Sequence, residues 1–356
     1  MRGDEFDILV IGEGLSGITA AAAACQQGSR VMLVSKGPGT FVLGTACVDL
    51  NGLDAGASGF GQSEVEKAIS FFLELTAAAG CAYEGGIEER RLVPTVMGTF
   101  AEVSLAPRSL WKGDPRGISK AVIVGIENVF AFDANYVAER LSVHTKDMGL
   151  PTSYCGVAIR LPQNRHQHWL TPLEIASEVD RHASFRDALI AALKPLARNA
   201  DLLILPGILG LNSTDDDVRE LEDVIGCAIC ELPTVPPSVT GLRLLRRLES
   251  HLAAKGAEIC TGFSVLKLCM NGDQCTGAML ETPGKPRTIR AASVILAVGR
   301  FSHLPESEGV VAAKNVFASG NLAGKFEPRH GNAIAIVSGY QAGMQASQRG
   351  VQYAKQ

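Results

Sequence analysis

Charge is scarce in this 356-residue chain: Asp, Glu, Lys and Arg make up only 20% of it, 33 basic residues against 37 acidic, for a net charge of -4. Without a basic excess there is no electrostatic footprint for a nucleic-acid partner. Long apolar runs are also missing. The chain is 46% hydrophobic, yet no stretch reaches the roughly 18 residues of a membrane span. Even its most apolar segment, Ile8 to Cys25, is broken by Gly12, Gly14, Gly17 and Glu13. The same composition leaves apolar surface available for contact with other subunits.

Paired cysteines are the third absence. The nine cysteines (25, 47, 81, 155, 227, 230, 260, 269 and 275) are odd in number and scattered, unlike a secreted disulfide framework, so reduced thiols are expected. Cys227-Ala228-Ile229-Cys230 is the sole C-x-x-C. No second pair completes a zinc or iron-sulfur site, and no metal is expected. No secretory pattern precedes the first strand, so a cytoplasmic location is expected.

What is present begins with Asp7-Ile8-Leu9-Val10-Ile11-Gly12-Glu13-Gly14-Leu15-Ser16-Gly17. An apolar strand, a glycine turn and an alanine-rich helix form a pyrophosphate cradle. Gly12 permits the turn, Gly14 lets the backbone approach the diphosphate, and Gly17 lets helix and strand pack closely. A glycine turn in an unrelated βα unit is the competing explanation. Arg30 to Ser35 supplies a second strand and completes a βαβ unit. An acidic residue usually ends that strand, to bind the adenosine ribose, but Ser35 and Lys36 stand here. The departure leaves either FAD held differently or the shorter FMN.

Further along, Glu64 to Ala79 reads as a helix, Arg91 to Trp111 as a β-rich insertion, Ala121 to Gly125 as a buried strand and Asn135 to Leu141 as a helix. Gly241 to Ala254 carries leucines at helical spacing and stops at Gly256. Strands at 257–260, 264–269 and 277–280 suggest a meander turning at Asn271-Gly272, and 294–299 and 315–320 suggest two buried strands ending in glycine. Gly331 to Met344 suits a helix under a ligand.

In this order the features resemble the two-domain flavoproteins of the glutathione-reductase and fumarate-reductase superfamily, and more closely the B subunits of anaerobic glycerol-3-phosphate dehydrogenases. Glu231-Leu232-Pro233-Thr234-Val235-Pro236-Pro237-Ser238-Val239-Thr240-Gly241-Leu242-Arg243-Leu244 follows that family's E-L-P-T-x-P-P-S-V-x-G-x-R-L pattern. Val93 to Thr99, Ala106 to Asp114, Leu296 to Phe301 and Phe317 to Asn321 support it. Glu13, where glycine is usual, and Asn321, where related flavoproteins carry an acid facing the ribitol, depart from it.

The resemblance implies an α/β protein with a Rossmann-like FAD/NAD(P)-binding fold and an inserted α+β cap domain. Residues 1–87 and 221–356 would form the flavin-binding domain, and residues 88–220 the cap or substrate-type domain. It implies a flavin-dependent dehydrogenase subunit, with FAD as cofactor and FMN as the alternative. The partners would be a larger glycerol-3-phosphate-oxidising flavoprotein and an iron-sulfur subunit feeding menaquinone, which could hold the chain at the inner face of the membrane. A dehydrogenase subunit for another substrate and a catalytically silent flavin-binding assembly subunit are the alternatives.

For the flavin, the expected residues are Gly12, Gly14, Leu15, Ser16 and Gly17 at the phosphates, with Ser35 and Lys36 at the end of the second strand. Gly44, Thr45 and Ala46 are expected to approach the ring or diphosphate, Gly299 and Arg300 to sit beside the ligand after their strand, and Gly320 and Asn321 to lie at the ribitol. Asn332 and Ala333 would begin a helix whose dipole favours the reduced, anionic ring; an N-cap is the plainer role for Asn332. Arg108, His166 and His168 are the candidates to bind a substrate anion or take its proton, although a His-x-His is also a common surface pattern. Arg243 would reach a phosphate or lie on a helix surface.

Overall fold

Ile8, Leu9 and Val10 are wholly buried in β1 (Glu5–Glu13), as a strand covered on both faces requires. In the computed structural model, residues 5–53, 59–129, 132–162, 170–299, 313–323 and 328–353 are described. They divide into two units: Met1–Phe41, Leu50–Ala79 and Leu248–Gln356 in the first, Val42–Asp49 and Gly80–Arg247 in the second.

In the first unit, β1 leads through α1 (Leu15–Gln26) to β2 (Val31–Pro38), which pairs with it in parallel. Four further strands, β11 (Glu258–Thr261), β12 (Val265–Asn271), β13 (Gln274–Leu280) and β14 (Arg287–Leu296), extend the sheet in the order β11-β2-β1-β14-β13-β12. A short β15 (Val316–Ala318) adds to β14. The start of β14 runs antiparallel to β13 and its end runs parallel to β1 and β15, so one strand serves both the meander and the core sheet. The meander comprises β12, β13 and β14, and only the first two of these belong to the expected one. By contrast β11, expected with them, pairs in parallel with β2, as a strand arriving from a preceding helix does.

The last helix, α9 (Gly331–Tyr353), lies directly on α1. A Cβ at Gly339 would sit 2.4 Å from the Ser16 carbonyl oxygen, and one at Gly343 would sit 2.4 Å from that of Ala20. Two glycines four residues apart thus bring the helix backbones into contact. Phe71 of α2 (Gln62–Ala78) packs its ring against Tyr340, centroids 5.0 Å apart.

The second unit holds a four-stranded parallel sheet ordered β10-β9-β7-β8, from β7 (Lys120–Ile126), β8 (Ser153–Ile159), β9 (Leu202–Pro206) and β10 (Ala228–Leu232). Four helices connect them: α4 (Ala134–Asp147), α5 (Pro172–Arg181), α6 (Ala183–Ala197) and α7 (Asp215–Ile225). Asp133 starts α4 by accepting from the Asn135 and Tyr136 amides at 2.9 and 3.0 Å. The β-rich insertion consists of two antiparallel pairs, β3 (Tyr83–Gly85) with β6 (Leu105–Pro107) and β4 (Arg91–Pro94) with β5 (Phe100–Val103), ahead of the short α3 (Arg108–Trp111). The expected 220/221 boundary falls inside α7, because β10 lies beyond it and completes this sheet.

The Glu231 to Leu244 motif is a clasp within this unit. Glu231 belongs to β10, and Arg243 lies on α8 (Val239–Ala254). Two guanidinium nitrogens of Arg243 donate to the Glu231 carboxylate at 2.5 and 2.9 Å, and its Nε donates to the Gly210 carbonyl at 2.7 Å. The Leu209 amide donates to the same carboxylate at 3.1 Å. Burial pushes the Glu231 carboxyl up; the Arg243 charge and these hydrogen bonds outweigh it and leave it below the usual glutamate range. Arg243 is thus committed to a carboxylate and a carbonyl rather than lying on the helix surface.

Replacing Gly343 by valine should force α1 and α9 apart, lower the urea midpoint and cost about 1–3 kcal/mol. Arg243→Met strands a buried carboxylate and should cost about 3–5 kcal/mol, with much of it regained in Glu231→Leu/Arg243→Met. Because the folded Glu231 carboxyl lies below its unfolded value, its contribution is present at pH 7 and fades as pH falls below about 4. Urea unfolding of wild type and Glu231→Gln at pH 7 and pH 3 reads this, with a smaller pH effect in the variant.

Candidate functional site

Gly12 leaves β1 with φ of +113°, and a Cβ there would stand 2.2 Å from the Ala297 carbonyl oxygen just beyond β14. A Cβ on Gly17 would stand 1.8 Å from the Gly12 carbonyl oxygen. Only glycine fits at either place. Gly14 is the N-cap of α1, and among the described residues no side chain caps that helix and no acid stands in its first turn. Leu15, Ser16 and Gly17 are buried there, so the helix presents uncapped amides and a positive end.

Across the same edge of the sheet, β15 ends at Ala318. Gly320 follows with φ of +64°, in a position where a Cβ would lie 2.8 Å from the Ser16 hydroxyl oxygen. The second glycine turn therefore abuts the first turn of α1. The Gly320 amide donates to the Ser338 hydroxyl of α9 at 2.8 Å, and Ser338 donates back to the Ile334 carbonyl at 2.5 Å. Asn321 is half-buried in the same turn. Asn332 and the buried Ala333 form the first turn of α9. His330, buried just before that helix, shares a 2.8 Å hydrogen bond through Nε2 with the Asn51 carbonyl.

These residues fit a flavin diphosphate. Uncapped amides at the start of α1 suit an anion, and the Ser319 hydroxyl beside Gly320 is buried with no partner among the described residues. Gly12, Gly14, Leu15, Ser16, Gly17, Gly320, Asn321, Asn332 and Ala333 thus lie on one unit, around the carboxyl ends of β1 and β15. Gly299 follows β14 with φ of +70°, while Arg300 lies outside the described residues.

Ser35 and Lys36 differ in their surroundings. Lys36 is exposed, whereas Ser35 is buried and its hydroxyl donates to the Glu13 carboxylate. The Thr261 hydroxyl at the end of β11 donates to the same Glu13 oxygen at 2.7 Å. Burial pushes the Glu13 carboxyl up, but hydrogen bonds with Glu249, Ser35 and Thr261 bring it below the usual glutamate range.

The remaining expected residues belong to the second unit or fall outside the described residues. Gly44, Thr45 and Ala46 belong to the second unit, where the Tyr83 hydroxyl donates to the Ala46 carbonyl at 2.6 Å. Arg108 opens α3, and its Nε donates to Glu84 at 2.7 Å. His166 and His168 lie outside the described residues. In the C-x-x-C pair, the Cys227 thiol bonds to the Ala200 carbonyl, and Cys230 is buried in β10. Burial raises both thiols above their ordinary range, which keeps the reactive thiolate scarce.

Sequence reasoning missed His330, Ser319, Ser338 and the partnership of Glu13 with Ser35. The Gly339-x-x-x-Gly343 spacing could have announced the helix contact that aligns Ser338. Nothing local announces a carboxylate from the glycine turn reaching the end of β2.

The FAD binding domain family matches residues 7–52 and 238–327, the two stretches that the first sheet brings together. The B subunit of anaerobic glycerol-3-phosphate dehydrogenase from Pectobacterium atrosepticum is 27% identical over 329 residues, covering 83% of this chain and 75% of that protein. The protein of the same name from Actinobacillus pleuropneumoniae is 26% identical over 334 residues, covering 86% and 76%. Among solved structures, 3-ketosteroid delta1-dehydrogenase from Sterolibacterium denitrificans matches with a TM-score of 0.38 and 14% identity, over 84% of this chain and 48% of that one, about half its length. The chain is a flavin-dependent oxidoreductase with an FAD-binding domain, similar over most of its length to the B subunits of anaerobic glycerol-3-phosphate dehydrogenases.

Proposed function

We propose that this chain is the B-type flavin subunit of an anaerobic glycerol-3-phosphate dehydrogenase, passing electrons from a larger flavoprotein that oxidises glycerol 3-phosphate to an iron-sulfur subunit on the way to quinone. The observation that carries it is a match to the FAD binding domain family over two separate stretches, combined with similarity to such B subunits across 83% of the chain. FAD takes up two electrons together and releases them singly, which is the chemistry a relay needs.

The protein's part is holding and shielding. The α1 amides at Leu15, Ser16 and Gly17 hold the diphosphate, and Asn321 hydrogen-bonds a ribitol hydroxyl as a neutral group. Asn332 and Ala333 aim the start of α9 at the ring, where its positive end favours added negative charge. Ser338 fixes the Gly320 turn at the height that this requires. Electron transfer needs no acid-base pair from these residues. In the second unit Arg108, paired with Glu84, is the candidate to bind a substrate anion.

Acid release from purified protein should yield FAD in amounts equal to the chain; colourless protein, or FMN alone, would overturn the assignment. Glycerol 3-phosphate should bleach the flavin only when the larger flavoprotein is present. A lone chain that oxidises it at full rate contradicts the relay. Asn321→Ala should weaken FAD binding roughly five- to tenfold, the worth of one neutral hydrogen bond, as read by flavin fluorescence titration.

A further inference from the structure

An adenosine ribose is usually held by an acid at the end of the second strand, because two neighbouring hydroxyls need an acceptor and an anion accepts best. Here β2 offers Ser35, which is neutral, and Lys36, which is exposed and has no acceptor. A carboxylate nevertheless occupies that place. Glu13, between the two glycines of the turn, pairs with Pro38 beyond a register irregularity in the β1–β2 ladder. Its side chain crosses the end of β2 to accept from Ser35 and Thr261, themselves partners across the β2–β11 ladder. The carboxylate thus lies over the carboxyl ends of β1, β2 and β11, the edge where open α/β sheets bind the adenosine half of a dinucleotide.

We propose that Glu13 is the ribose-diol acceptor of the FAD site, supplied from the glycine turn in place of the acid that β2 lacks. The proposal rests on the FAD assignment. The acid has changed position: the usual dinucleotide site has it at the end of the second strand, whereas this chain has Glu13 in the turn and Ser35 on the strand.

Hydrogen-bond capacity suits the role. A carboxylate offers roughly four lone-pair sites; the Ser35 and Thr261 hydroxyls engage two of them, and Glu249 engages a third only as the protonated partner of the Glu13 anion. One remains for a ribose hydroxyl. Ser35 gives its proton to the hydrogen bond with Glu13, which leaves its oxygen as an acceptor for the second. Burial holds the anion in place and keeps water from competing for it. The same charge disfavours a 2′-phosphate, so the ligand class is a dinucleotide with a free ribose diol.

The test titrates the full-length apoprotein with FAD and with FMN, which lacks the adenosine ribose, and reads flavin fluorescence; circular dichroism checks each variant's fold. Glu13→Gln should weaken FAD roughly ten- to hundredfold, the worth of a hydrogen bond to a charged acceptor, and leave FMN within about twofold. The exchange variant Glu13→Gly/Ser35→Glu, which puts the acid in the usual place, should restore FAD affinity. Unchanged or tighter FAD binding by Glu13→Gln means that the side chain only fills the space, and overturns the proposal. Equal weakening of FAD and FMN means that it only shapes the turn, and also overturns it. Wild-type apoprotein that binds no flavin removes the FAD assignment and this inference with it, whereas wild-type binding insensitive to Glu13 removes this inference alone.

Discussion

The contact on which the site depends is between backbones: Gly12 lies so close to Ala297 that no Cβ fits between them, and Gly17 lies equally close to Gly12. Those contacts lock the first turn of the chain to the end of a strand almost 300 residues later. The helix above it repeats the arrangement, with Gly339 and Gly343 resting on Ser16 and Ala20. Backbone packed on backbone leaves little slack, so the two glycine turns at Gly12–Gly17 and Gly320 hold a fixed relation to each other. A cofactor bound across them gains from that rigidity, because little ordering remains when it arrives.

Much of this was legible because it is written locally. The buried run before Gly12, the alanine helix after Gly17 and the leucine spacing of 241–254 each report their own environment within about a dozen residues. The β12–β13 hairpin at 265–280 was also visible, through Asn271-Gly272 and alternation, whereas the antiparallel first half of β14 was not. Nor was pairing between distant segments. The parallel sheet of the inserted unit joins strands at 120, 153, 202 and 228 through long crossovers, and short apolar runs do not name their neighbours. For the same reason β10 fell on the wrong side of an expected boundary, and β11 was grouped with the strands that follow it rather than with β2.

The charged residues teach a related lesson. The Glu231 to Leu244 pattern carried the family resemblance, and Arg243 within it invited a role at a phosphate. The structure gives both ends of the motif to each other, in a buried ion pair that ties the end of β10 to α8. Glu13 ran the opposite way. It registered only as a departure from a glycine, yet it places the one buried carboxylate among the described residues that lies at the end of β2. In a chain with so few charges, a buried one is informative only once its partner is known.

The central claim is that two segments far apart in sequence form one FAD site. Hydrogen-deuterium exchange of the apoprotein with and without FAD tests it directly. FAD should slow exchange both in the turn and helix at 12–18 and in the segments 313–323 and 328–335. Protection confined to the first segment, with the second unchanged, would contradict it.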